Sequence, residues 1–335
     1  MKSDGVTSPP GWGMRWKVLV LVLAALPAGA QHPSFYLMDK EGDLIDPIND
    51  ENATAPFSIR ETCGMCHDYD EVTEGYHFQM GWDNISDEYG EESGRPWSLS
   101  NGFLGRWYPY AYRQLAKKEN SHADEIDLTP YDFIGFSSPG RDQPPCGACH
   151  PGGGGLEYDR DGNRYDEHLA DNPSLAESLD GDYHGSAWDR SGVVEADCLI
   201  CHLEGYDFGA RVDQLKSGNY QWAVVAGSRI GLVEGSVRKN REPTVTYETR
   251  LFNADGSITL KMSWPPPDDN CMYCHGQSDV KKRGFSWNDI FNSDIHNQQG
   301  VSCTACHHAG PDHQIAKGNE PAFTLAPEHD GSIMS

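Results

Sequence analysis

The ten cysteines of this 335-residue chain all fall in copies of one short pattern, and no cysteine is left over. The pattern is Cys-x-x-Cys-His, and its five copies, motifs 1 to 5, are Cys63–His67, Cys146–His150, Cys198–His202, Cys271–His275 and Cys303–His307. Cysteines three residues apart lie on one side of a helical turn. There, both sulfurs can form thioethers with the vinyl groups of a haem, and the pattern is the attachment signature of c-type haem. The sequence therefore predicts five covalent haems.

Each motif supplies two attachment residues and one iron ligand. A histidine directly after the second cysteine can place its imidazole under the haem and bind iron from the proximal side. The predicted attachment residues are Cys63, Cys66, Cys146, Cys149, Cys198, Cys201, Cys271, Cys274, Cys303 and Cys306. The predicted proximal ligands are His67, His150, His202, His275 and His307.

Zinc binding and disulfide or redox chemistry are two other uses of paired cysteines. Zinc sites with four thiolates need an even number of Cys-x-x-Cys pairs, and they give no reason for a histidine after each pair. Disulfide frameworks and thioredoxin-like redox motifs also use paired cysteines. Neither explains five identical copies that consume every cysteine, so the pattern favours haem.

A low-spin haem needs a second axial ligand, which in cytochromes c is commonly histidine or methionine. Nine of the fourteen histidines lie outside the motifs. Their local sequence favours four as distal ligands: His77, His184, His296 and His313. The fifth distal ligand is open between His308, His168 and a methionine such as Met80 or Met262. The surface residues are expected to be His32, His122 and His329.

The elements that must position these residues are few. Motif spacing is irregular, which excludes a simple tandem repeat, and no linker divides residues 31–335, which we expect to form one pentahaem domain. The sequence predicts short helices at Pro173–Leu179 and Asp213–Val225, and one β-hairpin over Thr244–Met262 that turns at Asn253–Gly256. The glycine run Pro151–Gly155 is expected to approach a porphyrin closely. The predicted fold class is a multihaem cytochrome c with little regular secondary structure, built around five covalent haems.

The first thirty residues read as a secretory signal peptide. An apolar stretch, Val18–Leu26, is followed by Ala28-Gly29-Ala30, a small-x-small cleavage site. Met14 is an alternative start, because the chain from there is a compact signal. The predicted location is periplasmic, secreted or associated with the outer membrane, with no transmembrane segment in the mature chain.

Charge restricts the partners. Without residues 1–30, the chain carries 23 basic and 50 acidic side chains, a formal net charge of −27. Nucleic acid is excluded as a natural partner because phosphate binding needs a basic surface. A basic redox protein is favoured, although acidity that serves only solubility is the open alternative.

Four strings resemble a known group: CGMCHDYDEVTEGYHF, CGACHPGGGGLEYDRDGNRYD, EADCLICH and GVSCTACHHAGPDHQIAKG. They are similar to the multihaem c-type cytochromes of outer-membrane porin-cytochrome conduits in metal-reducing bacteria, and more weakly to the octahaem tetrathionate reductase group. The resemblance implies that His77, His184, His296 and His313 are distal ligands. Those proteins usually carry more haems than this chain.

The expected function is that of an electron carrier or relay in respiratory or extracellular electron transfer, rather than an enzyme that converts a substrate. One alternative is a reductase of a small oxyanion such as nitrite or tetrathionate. Pentahaem nitrite reductases commonly replace one motif histidine by lysine, and all five motifs here keep histidine. Another alternative is self-assembly into a cytochrome filament.

Overall fold

The computed structural model describes residues 32–92, 94, 95, 98–100, 145–178, 183, 185–278, 287–310 and 312–315. The predicted signal peptide and His122, His184 and His329 lie outside these residues. By its internal contacts the chain divides into Met1–Ala30 and Gln31–Ser335. Only the second unit is described below.

Within the described ranges the α-helices are short, the longest having 11 residues. In chain order they are α1 (Ile59–Gly64), α2 (Tyr69–Thr73), α3 (Tyr76–Gln79), α4 (Tyr89–Glu92), α5 (Cys146–Cys149), α6 (Tyr165–Asp171), α7 (Trp188–Ser191), α8 (Cys198–His202), α9 (Phe208–Ser217), α10 (Ala223–Gly227), α11 (Asp268–Ser278), α12 (Trp287–Ile290) and α13 (Ile295–Gln298). Single 3-10 turns lie between several of them, and a further 3-10 turn, Cys303–Ala305, follows α13.

Every motif lies on a helical turn. Motif 1 begins at the end of α1, motifs 2 and 3 begin α5 and α8, motif 4 lies inside α11, and motif 5 forms the turn Cys303–Ala305. Polar side chains fix where such short helices begin, because they accept hydrogen bonds from first-turn N–H groups. The N-cap residues that do so include Ser58, Asp68, Asp197, Asp207 and Asp294.

The β-structure differs from the sequence prediction. Strand β3 (Gly231–Ser236) pairs antiparallel with β4 (Arg241–Tyr247), in register Val233 to Val245. The expected hairpin instead paired the segment beginning at Thr244 with a segment downstream of it. The turn at Asn253–Gly256 exists, but it closes only an isolated bridge between Phe252 and Ile258. A second, smaller hairpin pairs β1 (Leu37–Met38) with β2 (Leu44–Ile45).

The helix expected at Asp213–Val225 is interrupted. Helix α9 ends at Ser217 because Gly218 takes a left-handed conformation with φ of 77° and donates its backbone N–H to the carbonyl oxygens of Gln214 and Leu215. The chain resumes helical structure in α10 at Ala223. The segment predicted as a helix at Pro173–Leu179 is a 3-10 turn over Pro173–Ala176.

Two hydrophobic cores hold these elements. The first core joins the N-terminal hairpin to α8, α10 and the β3–β4 hairpin through residues that include Leu37, Ile45, Leu199, Val225 and Ile258. The second core packs α6 against α9 and α10, through Leu156, Tyr165, Leu169, Leu215 and Ala223. Each buried aliphatic side chain of this kind contributes about 1.5–3 kcal/mol. The cysteines Cys63 and Cys198 pack against the first core.

The glycine run after motif 2 packs against protein backbone, where the sequence had led us to expect a porphyrin. A Cβ on Gly152, whose φ is +108°, would lie 1.9 Å from the carbonyl oxygen of Glu195. A Cβ on Gly154 would lie 2.7 Å from the carbonyl oxygen of Phe78. Both close approaches require glycine.

No helix in the described part of the chain combines the length and the apolar character that a bilayer span requires.

Candidate functional site

The histidine of motif 3 is held by a hydrogen bond and by a stacked ring. The Nδ1 atom of His202 lies 2.9 Å from the carbonyl oxygen of Ser263. A hydrogen bond to a backbone carbonyl places the proton on Nδ1 and leaves Nε2 free to bind a metal. The ring of Trp264 stacks on His202 at 5.7 Å between centroids. The imidazole of His202 is thus held in the tautomer and orientation that a ligand needs.

Three motif histidines each face a second histidine. The ring centroids of His67 and His32 are 6.2 Å apart, those of His275 and His77 are 6.2 Å apart, and those of His202 and His313 are 6.3 Å apart. The interplanar angles are 27°, 55° and 71° respectively. In motifs 1, 4 and 3 the motif histidine therefore has a second histidine, from outside its own motif, at nearly the same ring separation.

The separation fits one metal ion between two imidazoles. Two metal–nitrogen bonds of about 2 Å, plus about 1 Å from each nitrogen to its ring centre, give roughly 6 Å between centroids. The ring orientations differ: the rings of His67 and His32 are stacked, those of His275 and His77 are tilted, and those of His202 and His313 meet edge to face. His77 and His313 were predicted as ligands from the sequence. His32, expected at the surface, is half-buried and lies at the same ring separation from His67.

Such a pair needs four further donors around the metal, and porphyrin nitrogens supply four in one plane. Among the described residues, no three histidine, cysteine, aspartate or glutamate side chains form a metal-binding cluster. The recurring arrangement in the described structure is a pair of histidines, and histidine is one of the axial ligands that haem iron takes from proteins.

The histidines of motifs 2 and 5 lie near His77. Burial, and after it the proximity of His77, lower the pKa of His150 to about 4. Burial, and after it the proximity of His275 and His307, lower the pKa of His77 to about 4. His77 therefore lies close to the histidines of motifs 2, 4 and 5.

The other histidines that were predicted as distal ligands have different surroundings. His296 is exposed, and its Nδ1 lies 3.3 Å from the carboxylate of Asp294. The ring of His168 lies 5.6 Å from that of Tyr183. The Nε2 atom of His308 is buried. His184 lies outside the described residues, and the distal ligands of all five motifs stay predictions.

Cysteines from different motifs are neighbours. The thiols of Cys63 and Cys198 interact with each other, and so do those of Cys149 and Cys274 and those of Cys271 and Cys303. None of the nine cysteines whose side chains the structure describes forms a disulfide. Burial raises the pKa of the Cys201 and Cys271 thiols to about 11.

Exposed apolar side chains collect beside the motifs. Of eight large hydrophobic residues exposed in the described structure, Met65 lies inside motif 1 and Trp264 contacts His202. Ile295 adjoins His296, Val301 precedes motif 5, and Ile315 follows His313.

A buried network of charged residues lies between motifs 1 and 3. The Glu157 carboxylate is fully buried and lies 3.4 Å from the guanidinium groups of both Arg60 and Arg164. Tyr69, two residues after His67, donates a hydrogen bond of 2.9 Å to Glu157. Burial, helped by the neighbouring Glu195, raises the pKa of Glu157 to about 7.

No protein-family model matches the chain, and no curated protein and no solved structure matches it either. The resemblance to porin-cytochrome conduit cytochromes therefore rests on the motif strings alone.

Proposed function

We propose that the chain is an exported pentahaem c-type cytochrome that carries electrons between redox partners. The observation that carries this proposal is the set of three histidine pairs, His67 with His32, His275 with His77 and His202 with His313, at 6.2–6.3 Å between ring centroids. In each pair one member directly follows a Cys-x-x-Cys sequence. When bound, haem iron supplies one-electron redox chemistry.

The residues of this chain have definite tasks in that function. The paired cysteines attach the cofactor, and the motif histidines and their partners would close both axial positions of the iron. The Ser263 carbonyl fixes the His202 tautomer, which raises the basicity of this ligand. An iron closed on both sides exchanges electrons but offers no place for a substrate, which favours a carrier over a reductase.

Location and partner follow from the same proposal. The predicted signal peptide directs the chain to the periplasm, the outer membrane or beyond, where a carrier can link a periplasmic donor with an outer acceptor. The net charge of −27 in the mature sequence favours a basic redox partner.

The test is to produce the protein with the cytochrome c maturation machinery and to measure its mass and spectra. We expect five covalent haems, low-spin EPR signals for motifs 1, 3 and 4, and rapid electron transfer to soluble cytochromes or chelated ferric iron. A Cys303→Ala/Cys306→Ala variant should contain four haems and serves as the control for counting. Fewer than five haems in the parent protein would contradict the proposal.

A second measurement separates the carrier from a reductase of small oxyanions. The reduced protein should bind carbon monoxide weakly and turn over nitrite, hydroxylamine and tetrathionate negligibly. Fast turnover of any of these, together with a high-spin haem, would show that the protein is a reductase and not an electron carrier.

A further inference from the structure

Helix α11, which carries motif 4, contacts the segments that carry three other motifs. It packs against α8 of motif 3, against α5 of motif 2 and against the turn Cys303–Ala305 of motif 5. Motif 4 is therefore central among the described attachment segments.

Hydrogen bonds fix two of these contacts. The Nδ2 atom of Asn270, one residue before Cys271, donates to the carbonyl oxygens of Cys201 at 2.9 Å and Leu203 at 3.0 Å. The carboxylate of Asp268 accepts a 2.8 Å hydrogen bond from the backbone N–H of Cys303. Asn270 is buried, so its two bonds hold motif 4 firmly on motif 3.

The cysteine side chains of motif 4 also lie close to cysteines of the other three motifs. In motif 4, Cys274 interacts with Cys149 of motif 2, and Cys271 interacts with Cys303 of motif 5. Cys201 of motif 3 is close enough to both motif 4 cysteines to affect them electrostatically.

Motif 1 joins this group through motif 3. Cys63 interacts with Cys198, and the backbone N–H of Ala196, two residues before motif 3, donates a 2.8 Å hydrogen bond to the hydroxyl of Tyr69. Cys63 and Cys198 both pack against the first hydrophobic core.

Exposure is greatest at motifs 1 and 5. The second cysteine and the histidine are both exposed in motif 1 and in motif 5, whereas motif 3 exposes only Cys201 of these two residues and motif 4 only His275. In motif 2, Gly147 and Ala148 are buried, and Arg211 donates to the carbonyl oxygens of Gly147 and His150 from the interior.

We propose that the five attachment sites form a line in the order 1, 3, 4, 5, with site 2 joined to it at site 4. This order rests on the proposed function, since it concerns the groups that the cysteines would attach. It differs from the order of the motifs in the sequence, and it gives the line two exposed ends, at motifs 1 and 5.

The test is a stepwise reduction of the unmodified protein followed by NMR. Each haem is assigned through contacts of its protons with a side chain of its own motif, such as Met65 for motif 1 and Met272 for motif 4. Reducing one haem lowers the potential of another by electrostatic interaction, which weakens with distance. The shift that each haem imposes on every other haem therefore ranks all pairs by proximity.

We expect the four largest shifts in potential between haems 1 and 3, haems 3 and 4, haems 4 and 2, and haems 4 and 5, where each haem is numbered by its motif. A larger shift between 1 and 2, or between 1 and 5, than between 1 and 3 would overturn the order. So would a haem 2 that responds more to haem 5 than to haem 4. The intact mass of the same sample tests the proposed function separately from the spatial order of the haems. Fewer than five haems would contradict the function, whichever order the shifts give.

An Asn270→Ala variant gives an independent check of the junction. Loss of the two hydrogen bonds from Asn270 should reduce the mutual shift of haems 3 and 4 and leave that of haems 1 and 3 unchanged. A variant in which the 1–3 shift falls and the 3–4 shift is retained would contradict the arrangement.

Discussion

Arg211 and Asp197 form an ion pair that is shielded from solvent on all sides. Nη1 of Arg211 lies 3.1 Å from a carboxylate oxygen of Asp197, and each side chain is 1% exposed. Asp197 also accepts hydrogen bonds from the backbone N–H groups of Leu199 and Ile200, so it caps the helix of motif 3. Arg211 donates to motif 2. The pair therefore ties two attachment segments together.

We expect Arg211→Met to lower the free energy of unfolding by about 3–5 kcal/mol, because it leaves the Asp197 carboxylate buried without its partner. The double variant Asp197→Asn/Arg211→Met should recover part of that loss. Urea unfolding followed by circular dichroism measures both.

Arg229→Met is the matched control. Its guanidinium lies 3.1 Å from Asp207, the same distance as in the buried pair, but the Arg229 side chain is 65% exposed. Exposed ion pairs contribute about 0–1 kcal/mol. Equal losses in the two arginine variants would show that burial does not govern the effect.

Replacing His32 or His313 by Ala should convert one haem to a high-spin form and leave the others low-spin, because each removes one axial ligand. Replacing either by Met should keep that haem low-spin and raise its potential, since methionine ligation raises the potential of cytochromes c. EPR and spectropotentiometry give both readouts. If the Met variants behave like the Ala variants, these histidines act through packing and not as ligands.

The five motifs are visible in the sequence because each consists of adjacent residues, and the haem attachment inferred from them stays a prediction. The partner of each motif histidine depends on long-range folding. His77 was found through its aromatic neighbours, whereas His32 is followed by proline and serine and has no periodic pattern around it. A backbone bridge between Phe35 and Ile258, and the packing of the β1–β2 hairpin in the first core, hold the segment after His32 in place. These contacts span more than two hundred residues and leave no local pattern.

The predicted strand pairing was wrong for a related reason. The alternation from Thr244 onward correctly indicated a strand, but its partner, β3, lies upstream and begins with glycine. Gly231 and Gly235 weaken the strand pattern of β3, and Gly235 takes a positive φ at the irregularity in the β3–β4 register. The partner therefore could not be recognised by propensity alone.

Gly152→Ala should be among the most destabilising single changes in the chain. Alanine there meets both a positive φ and the carbonyl of Glu195, 1.9 Å from the new Cβ. Overpacking of this kind costs about 1–3 kcal/mol in addition to about 1 kcal/mol for the backbone conformation. Gly162→Ala is the control, because φ is +83° and no atom lies within 4 Å of its Cβ. A control variant as unstable as Gly152→Ala would remove the steric explanation.

The fully buried Glu157 should make stability depend on pH near neutrality. Its pKa rises from 4.5 to about 7 on folding, so the folded chain holds a proton that the unfolded chain releases. The stability from this proton is fully present below the unfolded pKa and is lost as pH rises to about 7. The loss amounts to about 3 kcal/mol.

The measurement is the difference in unfolding free energy between the parent protein and Glu157→Gln at several pH values. The difference should fall by about 3 kcal/mol from pH 4.5 to 7 and then level off. For Glu204→Gln the same difference should stay flat there, because the hydrogen bond from Lys261 lowers the pKa of Glu204. Parallel pH curves for Glu157→Gln and the parent would contradict the prediction.

Electron exchange with a basic redox partner should slow as salt rises. The mature sequence has a net charge of −27, and such charge accelerates the encounter with an oppositely charged protein at low ionic strength. Screening sets in beyond a Debye length of about 8 Å at physiological ionic strength. We therefore expect the second-order rate constant to fall by about tenfold or more between low salt and about 0.5 M salt. Stopped-flow mixing with a basic cytochrome measures it, and an acidic cytochrome of similar potential is the control, whose rate should rise with salt. Equal salt dependence for the two partners would assign the acidic surface to solubility alone.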